Sequence, residues 1–461
     1  MNKSTKAVSS GTAAKSERGA FTGSFGFLMT AIGSAIGIGN LWKFPYVTGQ
    51  NGGGSFVLIY FFITLTIGVI AILGELTIGR HCKLNPVGAY RSLSKKFTFV
   101  GVIGESIAFL ILTYYNIIGG WVLKYTVAYS LGQGSKIAAD PAGYFQTFIG
   151  RPVEPLLWTI VFIALNYFIL IHKVSDGLEL ANKIMMPMLF IFLLIMVIRS
   201  VTLPNAMAGI AFYLTPDFSK VTFSTVTAAL GQVFFSMSIG MGIMITYGSY
   251  LDDQADIKKL SIQIPVLGLV SAFLCGLAIL PAVFAFDLSP AQGPGLIFVT
   301  LPHVFEAMPA GGLFAVLFFF LIFFAAISSS LSLFEVPIAY CVDEFHWSRK
   351  KTASILAIMM FLCSIPEALS FNIFTAKFFG MSCFDFISYL AESLLMPLCG
   401  FLMFVILGYL WEPETQFAEI EKGGTHFGAK NYYRIMVRYL APLSIAIIWL
   451  NSSGILKLFQ K

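Results

Sequence analysis

Long apolar runs separated by short polar segments make up most of the chain. A run of about 18 or more apolar residues can cross a bilayer as a helix. Such runs predict an all-α polytopic membrane protein with eleven transmembrane spans, at 22–45, 54–79, 98–131, 155–171, 182–203, 223–250, 259–286, 311–342, 352–370, 379–410 and 435–451. Spans 3, 8 and 10 are long enough to tilt or to extend beyond the bilayer.

Span 1 contains a glycine-rich interruption between Ala31 and Pro45, with glycines at 33, 37 and 39 followed by Asn40 and Lys43. Inside hydrocarbon, backbone groups released from a helix must be satisfied by protein, water or a bound ion. The pattern therefore predicts main-chain carbonyls that turn inward to hold a ligand. The spacing of Gly33 and Gly37 also fits close helix packing through small residues, so this stretch alone leaves both interpretations open.

Span 6 contains a second interruption, Gly-Gln-Val-Phe-Phe-Ser-Met-Ser-Ile-Gly-Met-Gly at 231–242. Glycine-interrupted membrane segments in corresponding positions of two halves indicate the substrate site of a secondary transporter. The second interruption therefore favours the ligand-holding interpretation of the first.

Composition agrees with a membrane protein, because 57% of the 461 residues are hydrophobic and 11% are charged, whereas soluble domains carry about 25% charged residues. The net charge of +6 is the cytoplasmic excess of Lys and Arg usual in membrane proteins, and we expect no nucleic-acid partner. The six cysteines and five histidines are scattered without the spacing of a metal cluster.

Most Lys and Arg residues fall on one side if the N-terminus is cytoplasmic, which predicts that orientation in a plasma (inner) membrane. Residues 1–20 then form a cytoplasmic tail, and eleven spans place the tail at 452–461 outside. In the outer segment 287–310 the apolar end predicts a short helical cap over the outer mouth. We expect the Glu/Gly/Lys-rich inner segment 411–433 to be an ordinary connecting loop.

Three motifs resemble the neurotransmitter:sodium symporter family, particularly its bacterial amino-acid transporters. They are Gly-Ser-Ala-Ile-Gly-Ile-Gly-Asn-Leu-Trp-Lys-Phe-Pro-Tyr at 33–46, Ile-Thr-Tyr-Gly-Ser-Tyr at 245–250 and Gly-Pro-Gly-Leu-Ile-Phe-Val-Thr-Leu-Pro at 293–302. The resemblance implies a LeuT-like 5+5 inverted repeat with broken spans 1 and 6. A single transporter domain would cover 21–451, with repeats at about 21–203 and 223–410 and span 11 at 435–451.

The resemblance also implies symport of sodium with a neutral, hydrophobic or aromatic amino acid by alternating access. Free N–H groups near the glycines of span 1 would hold the substrate carboxylate. The implied substrate-binding residues are Ser34, Gly37, Gly39, Ile111, Tyr115, Phe235, Ser236, Ser238, Met241, Ser329, Ser330 and Leu333. Other implied partners are membrane lipid and, at most, a weakly bound second copy of the chain.

Two sodium sites are implied by the resemblance. One, here called the Ser328 site, consists of the carbonyls of Gly33, Ile36 and Ala325 and the hydroxyls of Ser328 and Ser329. The other, here called the Asn40 site, consists of the carbonyl of Ala35, the side chains of Asn40 and Ser236, and the substrate carboxylate. Mid-membrane serines often only bond to their own helix, which is the alternative for the Ser328–Ser330 run.

Span 7 departs from the family pattern, because it lacks the amide or acid that balances the Asn40 site. Gly268 stands where many bacterial relatives have an acid, and Ser271 is the nearest polar side chain. Either the site is weakened or lost, or chloride supplies the charge. Positions compatible with a chloride site are Tyr60, Gln232, Ser236 and Ser271.

Charged residues inside spans are hypotheses of function by default. Lys43 and Asp385 match the family's outer-gate pair, with Lys in place of Arg. Arg18 and Asp343, with Tyr250 nearby, match the inner-gate pair. Glu75 is expected to tether the unwound part of span 6, and Glu335 has no assigned role.

Two other function classes are weighed against the transporter. A membrane-embedded enzyme would need a nucleophile–base pair or a metal cluster within the spans, and the sequence offers neither. A channel would more often show rings of acid or a repeated filter loop. Exchange of substrate across the membrane distinguishes a transporter from a channel.

Overall fold

The computed structural model of the chain describes residues 19–289 and 295–453, and these ranges are helical with no β-strand. The first half contains α1 (Ser24–Ala35), α2 (Phe44–Gln50), α3 (Gly54–Ile63), α4 (Val69–Cys82), α5 (Pro86–Leu93), α6 (Thr98–Ser130), α7 (Gly134–Ala139), α8 (Pro141–Ile149), α9 (Glu154–Leu170), α10 (Leu180–Val201) and α11 (Ala206–Leu214). The second half contains α12 (Phe223–Ser236), α13 (Ile243–Ser249), α14 (Ile257–Ala285), α15 (Leu301–Ala307), α16 (Gly311–Phe345), α17 (Arg349–Leu369), α18 (Cys383–Ser388), α19 (Met396–Val405), α20 (Pro413–Ile420), α21 (Lys430–Ile435) and α22 (Ala441–Ser452).

Short π-helical turns join several of these helices into longer spans. They lie at Gly39–Lys43, Thr64–Gly68, Ser175–Glu179, Leu296–Thr300, Tyr389–Leu395, Ile406–Leu410 and Met436–Leu440. In the described ranges, eight helices are long and apolar enough to cross a membrane, or up to ten if each of two bent pairs is one span. The bent pairs supply span 1 (α1 with Gly39–Gln50) and span 4 (α9). Span 6 is divided into α12 and α13, each too short for that test, and completes the eleven predicted spans.

Span 1 bends by 48° between α1 and Gly39–Gln50. The helix ends at Ala35 because Ile36 has φ −104° and ψ 65°, outside the helical region. Small residues are required on both sides of the break. A Cβ atom on Gly37 would lie 2.5 Å from Ser329 Oγ, and one on Gly39 would lie 2.5 Å from Cε1 of Phe235.

Span 6 is interrupted for six residues, from Met237 to Gly242. Gly240 and Gly242 have φ of 80° and 74°, which glycine adopts without the steric penalty of other residues. Ser238 also has a positive φ, 55°. Glu75 on α4 accepts a hydrogen bond from the backbone N–H of Gly240 at 2.8 Å, as predicted. The break is therefore held by a carboxylate from span 2.

The remaining spans enclose these breaks. α16 (span 8) packs along α6 (span 3), and α1 packs against α10, α14 and α16. α13 packs against α4 on the opposite side. The apolar core thus runs through the middle of the bundle, and the breaks of spans 1 and 6 lie inside it.

The described part of the outer segment contains α15 and the π turn before it, which agrees with the predicted helical cap. Phe298 of this segment stacks on Phe145 at 5.0 Å between ring centroids. Residues 290–294, like the chain before residue 19 and after 453, lie outside the described ranges.

The inner segment 411–433 is not an ordinary loop, so that prediction is wrong. It contains α20, whose Glu419 is buried against Arg80 of span 2 at 2.7 Å. Burial alone would raise the pKa of Glu419, but hydrogen bonds from His81, Lys422 and Arg80 lower it to about 2. The sequence resembled a loop because two partners of the buried Glu419, Arg80 and His81, are distant in the sequence.

Candidate functional site

A cavity lies at the meeting point of the two helix breaks with spans 3 and 8. It contains about 380 Å³ of space between atoms, part of which is open to solvent. Eleven of the twelve predicted substrate residues line it. The lining residues are Ser34, Gly37, Gly39, Asn40, Ile111, Tyr115, Phe235, Ser236, Ser238, Met241, Ile243, Ser329 and Leu333.

Ser330 is the one predicted substrate residue that does not line the cavity. Its hydroxyl donates to Asn116 Oδ1 at 3.4 Å, on the side of span 3. Ile243 and Asn40 line the cavity as well. The sequence placed Asn40 in a sodium site only, and Ile243 was missed because an apolar residue after a glycine carries no distinctive signal.

The cavity wall is neutral, because its polar groups are hydroxyls, one amide and main-chain atoms, and no charged side chain of the described residues lines it. α1 ends at Ala35 beside the cavity, and the helix from Gly39 to Gln50 begins there. A helix C-terminus favours cations and an N-terminus favours anions. The cavity therefore offers separate ends for positive and negative groups.

The Ser328 site lies where the C-terminal end of α1 meets span 8. Ser329 Oγ is 3.3 Å from the carbonyl oxygen of Gly33 and donates to it. Ser328 Oγ donates to the carbonyl of Ala325 at 3.1 Å. Ile36, the fifth predicted member, is the residue at which α1 ends. All of these groups are carbonyl or hydroxyl oxygens, which are the ligands that a hard cation prefers.

The Asn40 site contains an unsatisfied oxygen. Asn40 Nδ2 donates to the carbonyl of Ala35 at 2.9 Å and lies 3.4 Å from Ser271 Oγ. Asn40 Oδ1 is buried without a hydrogen-bond partner in the described residues. Ser271 also donates to the carbonyl of Gly268 at 2.7 Å. Span 7 contains no Asp or Glu, so it contributes no carboxylate to this site.

The four residues compatible with chloride contact one another, Asn40 or the main chain of Gly39 beside it. Tyr60 and Ser236 form a hydroxyl–hydroxyl hydrogen bond of 2.9 Å, and Ser271 contacts Asn40. Gln232 Nε2 donates to the carbonyl of Gly39 at 3.3 Å. Of the four, Ser236 lines the cavity, and the other three contact Ser236, Asn40 or the carbonyl of Gly39, all of which belong to cavity-lining residues.

Comparison with known proteins agrees with this arrangement. The model of the "Sodium:neurotransmitter symporter family" matches residues 18–133 and 148–458. The chain belongs to this family. Membership places the protein among sodium-coupled symporters rather than enzymes.

Relatives within the family include two named as uncharacterized sodium-dependent transporters. YhdH of Bacillus subtilis is 36% identical over 94% of this chain and 97% of its own. A protein of Haemophilus influenzae is 35% identical over 92% of this chain and 96% of its own. A solved structure of MhsT in complex with L-phenylalanine matches with a TM-score of 0.87 and 37% identity, covering 94% of this chain and all of MhsT. The fold is therefore the LeuT-like fold that the family resemblance implied.

The outer-gate pair differs from the family pattern on which the prediction was based. Lys43 Nζ pairs with Glu392 Oε2 at 2.6 Å, not with Asp385. Asp385 instead accepts from the hydroxyl of Ser382 at 2.7 Å at the start of α18. Lys43 also lies 4.1 Å above the ring of Phe235, which lines the cavity.

Of the predicted inner-gate residues, Asp343 and Tyr250 lie at the opposite end of the bundle. Arg18 is outside the described residues, so its pairing with Asp343 remains a prediction. Asp343 accepts from the backbone N–H and side-chain amide of Asn85 at 2.8 and 3.0 Å. Tyr250 donates to Glu335 Oε1 at 2.6 Å.

Glu335, which had no assigned role, forms a buried ion pair with Arg349 through contacts of 2.6 and 2.8 Å. Sequence reasoning missed Arg349 because it stands in a short basic run after span 8. That run matches a solvated cytoplasmic loop better than a buried partner. Glu392 was missed although it is also an intramembrane acid, seven residues after Asp385.

Proposed function

We propose that the protein is a secondary active symporter that couples inward sodium flow to uptake of a neutral, hydrophobic or aromatic amino acid. The observation that supports this most is the neutral cavity between two broken spans, flanked by groups of oxygen donors. Transport would proceed by alternating access, with outward and inward openings on either side of this cavity.

The substrate class follows from the cavity wall. Apolar side chains of Ile111, Phe235, Met241, Ile243 and Leu333 face the space that a side chain would fill. A basic or acidic substrate side chain would be buried there without a partner, at a large cost in free energy. MhsT, the structural relative, is described in complex with L-phenylalanine.

The backbone of the substrate would bind at the helix ends. Its carboxylate would lie near the N–H groups that follow Gly37, where Tyr115 supplies a hydroxyl 3.4 Å from the N–H of Ile38. Its ammonium would lie against carbonyls such as that of Ser34. Sodium ions would occupy the Ser328 site and, if its charge is balanced, the Asn40 site.

Uptake of radiolabelled L-phenylalanine into proteoliposomes tests the proposal. We expect accumulation under an inward sodium gradient and none when potassium or choline replaces sodium. Competing unlabelled amino acids at fixed sodium should show that neutral apolar side chains compete and charged ones do not. Sodium-independent uptake would overturn the proposal. Exchange of internal for external substrate would exclude a channel.

Substitution of Ser328 and Ser329 by alanine tests the Ser328 site. Each change removes one hydroxyl ligand while leaving a residue that still packs. We expect severe loss of transport with little loss of folded protein. Ser106→Ala is the matched control, because Ser106 also bonds to its own helix (Val102, 2.8 Å) but lies outside the cavity lining. Near-normal sodium dependence in the double variant would refute the assignment.

The proposed setting is the plasma (inner) membrane, with the N-terminus cytoplasmic and the C-terminus external. The positive-inside distribution of Lys and Arg supports this orientation. Single cysteines introduced into the 132–140 segment and into 422–430 would test it, since a membrane-impermeant thiol reagent applied to intact cells should label only the first.

A further inference from the structure

Asn182, in the first half of span 5, carries a buried oxygen that the structure leaves without a hydrogen bond. The residue is fully buried. Its Nδ2 donates to the carbonyl of Leu178 at 2.8 Å, whereas its Oδ1 has no partner in the described residues. A buried polar atom without a partner loses its hydration with no hydrogen bond to offset the loss, so such an atom calls for an explanation.

The unsatisfied oxygen lies against the Ser328 site. A Cβ atom built on Gly33 would lie 2.3 Å from Asn182 Oδ1 and 3.1 Å from Ser328 Cβ. The oxygen therefore occupies the space that the absent side chain of Gly33 leaves, between span 1 and span 8. α10 packs against both α1 and α16, which brings the three helices together at this point.

Nearby hydroxyls do not satisfy the oxygen. Ser328 Oγ donates to Ala325 and Ser329 Oγ donates to Gly33. Rotating the amide would turn Nδ2 away from Leu178 and set the amide oxygen against a carbonyl oxygen. The hydrogen bond to Leu178 thus fixes the direction in which Oδ1 points.

We propose that Asn182 Oδ1 is a further oxygen ligand of the sodium ion in the Ser328 site. This inference rests on the proposed sodium symport and adds a neutral ligand from span 5 to those from spans 1 and 8. A carboxamide oxygen suits a hard cation and adds no buried charge. A bound ion would also satisfy the oxygen that is otherwise unpaired.

A ligand from span 5 would tie three helices to one ion. Binding of that ion would then depend on the position of α10 as well as on the broken span 1. Gly33 is part of this design, since any side chain there would occupy the position of the amide oxygen.

Direct sodium binding to the purified full-length protein tests this ligand without transport. Radioactive sodium is bound to immobilised protein and displaced by unlabelled sodium, with potassium holding the ionic strength constant. We expect Asn182→Leu, which keeps the size of the side chain, to raise the half-displacing sodium concentration about tenfold, as expected for loss of one contact to a charge. Asn182→Asp retains an oxygen and should bind sodium at least as tightly as the natural protein.

Asn166 on span 4 is the matched control. It is also fully buried, its Nδ2 donates to the carbonyl four residues earlier (Phe162, 2.9 Å), and its Oδ1 is also unpartnered in the described residues. It is not among the residues that line the cavity. Asn166→Leu should therefore leave sodium binding unchanged.

Sodium binding by Asn182→Leu equal to that of the natural protein would overturn the ligand role. A melting temperature measured in potassium shows whether the variant is folded. If Asn182→Leu does not fold, Asn182→Asp decides, because weaker sodium binding than in the natural protein contradicts the proposal. Absence of sodium binding by the natural protein would instead refute the proposed symport itself.

Discussion

The ion pair between Lys43 and Glu392 is expected to control how tightly the outer side of the cavity is closed. Lys43 Nζ lies 2.6 Å from Glu392 Oε2 and 4.1 Å from the centre of the Phe235 ring. Tyr114 donates to the other carboxylate oxygen at 2.7 Å. Because Phe235 lines the cavity, the pair holds a cation over one wall of the cavity.

The size of the effect follows from the exposure of the pair. The side chains of Lys43 and Glu392 are 34% and 17% exposed, between a surface pair worth about 0.2–1 kcal/mol and a buried pair whose disruption costs about 3–5 kcal/mol. Disruption of this pair should therefore cost about 1–2 kcal/mol, which corresponds to a factor of roughly 5–30 in the closed-to-open ratio. We expect Glu392→Gln to accelerate substrate dissociation by a similar factor.

To measure this rate, the detergent-solubilised protein is loaded with radiolabelled L-phenylalanine at saturating sodium and diluted. The release of label after dilution gives the dissociation rate. Asp385→Asn is the matched control, since Asp385 is an acid on the same span that does not pair with Lys43. Its dissociation rate should equal that of the natural protein. If Asp385→Asn releases substrate faster and Glu392→Gln does not, the family pairing is correct and the reasoning from Glu392 is refuted.

Three further predictions concern charges that are balanced at a distance. If chloride balances the charge of the Asn40 site, uptake should fall when gluconate replaces chloride, and Ser271→Glu should remove that dependence. If the site is lost, uptake should ignore chloride and vary with sodium concentration with a Hill coefficient of about one. Chloride-independent uptake with a clear two-sodium dependence would contradict both. Glu75→Ala should weaken substrate binding because it removes the hydrogen bond to Gly240. Glu75→Gln should weaken substrate binding less, because its amide oxygen still accepts from Gly240. Equal loss of substrate binding in the two variants would exclude the tether. The lowered pKa of Glu419 stabilises the fold above pH 4.5 and ceases to do so as pH falls towards 2, so the melting temperature should fall more steeply over this range in the natural protein than in Glu419→Gln.

The helix breaks beside the cavity were predictable from the sequence because their determinants are local. Glycines and serines are unusual inside spans of Phe and Leu, and their positions mark where a helix must break or where oxygens turn inward. Six of the eleven predicted lining residues are such glycines and serines, whereas the other five were implied by the family resemblance: Ile111, Tyr115, Phe235, Met241 and Leu333. Glu75 was also predictable, since an acid within a span needs a partner.

The ion-pair partners were not predictable to the same degree. Lys43 reaches an acid seven residues, about two helical turns, beyond the expected Asp385. Which of two acids on one helix face a lysine contacts depends on side-chain reach and helix position. Asn182 was overlooked for a different reason: a single amide in an apolar run has no periodic pattern, and only the structure shows that its oxygen is unpaired.

The two helix breaks are held by different forces. In span 1 the break is shaped by close packing, because a side chain on Gly37 would clash with Ser329 and one on Gly39 would clash with Phe235. In span 6 the break is held by the carboxylate of Glu75 on Gly240. The break in span 1 therefore depends on how closely spans 6 and 8 approach it, whereas the break in span 6 depends on a hydrogen bond from span 2. The sequence thus needs small residues at 37 and 39 for the first break and an acid at 75 for the second.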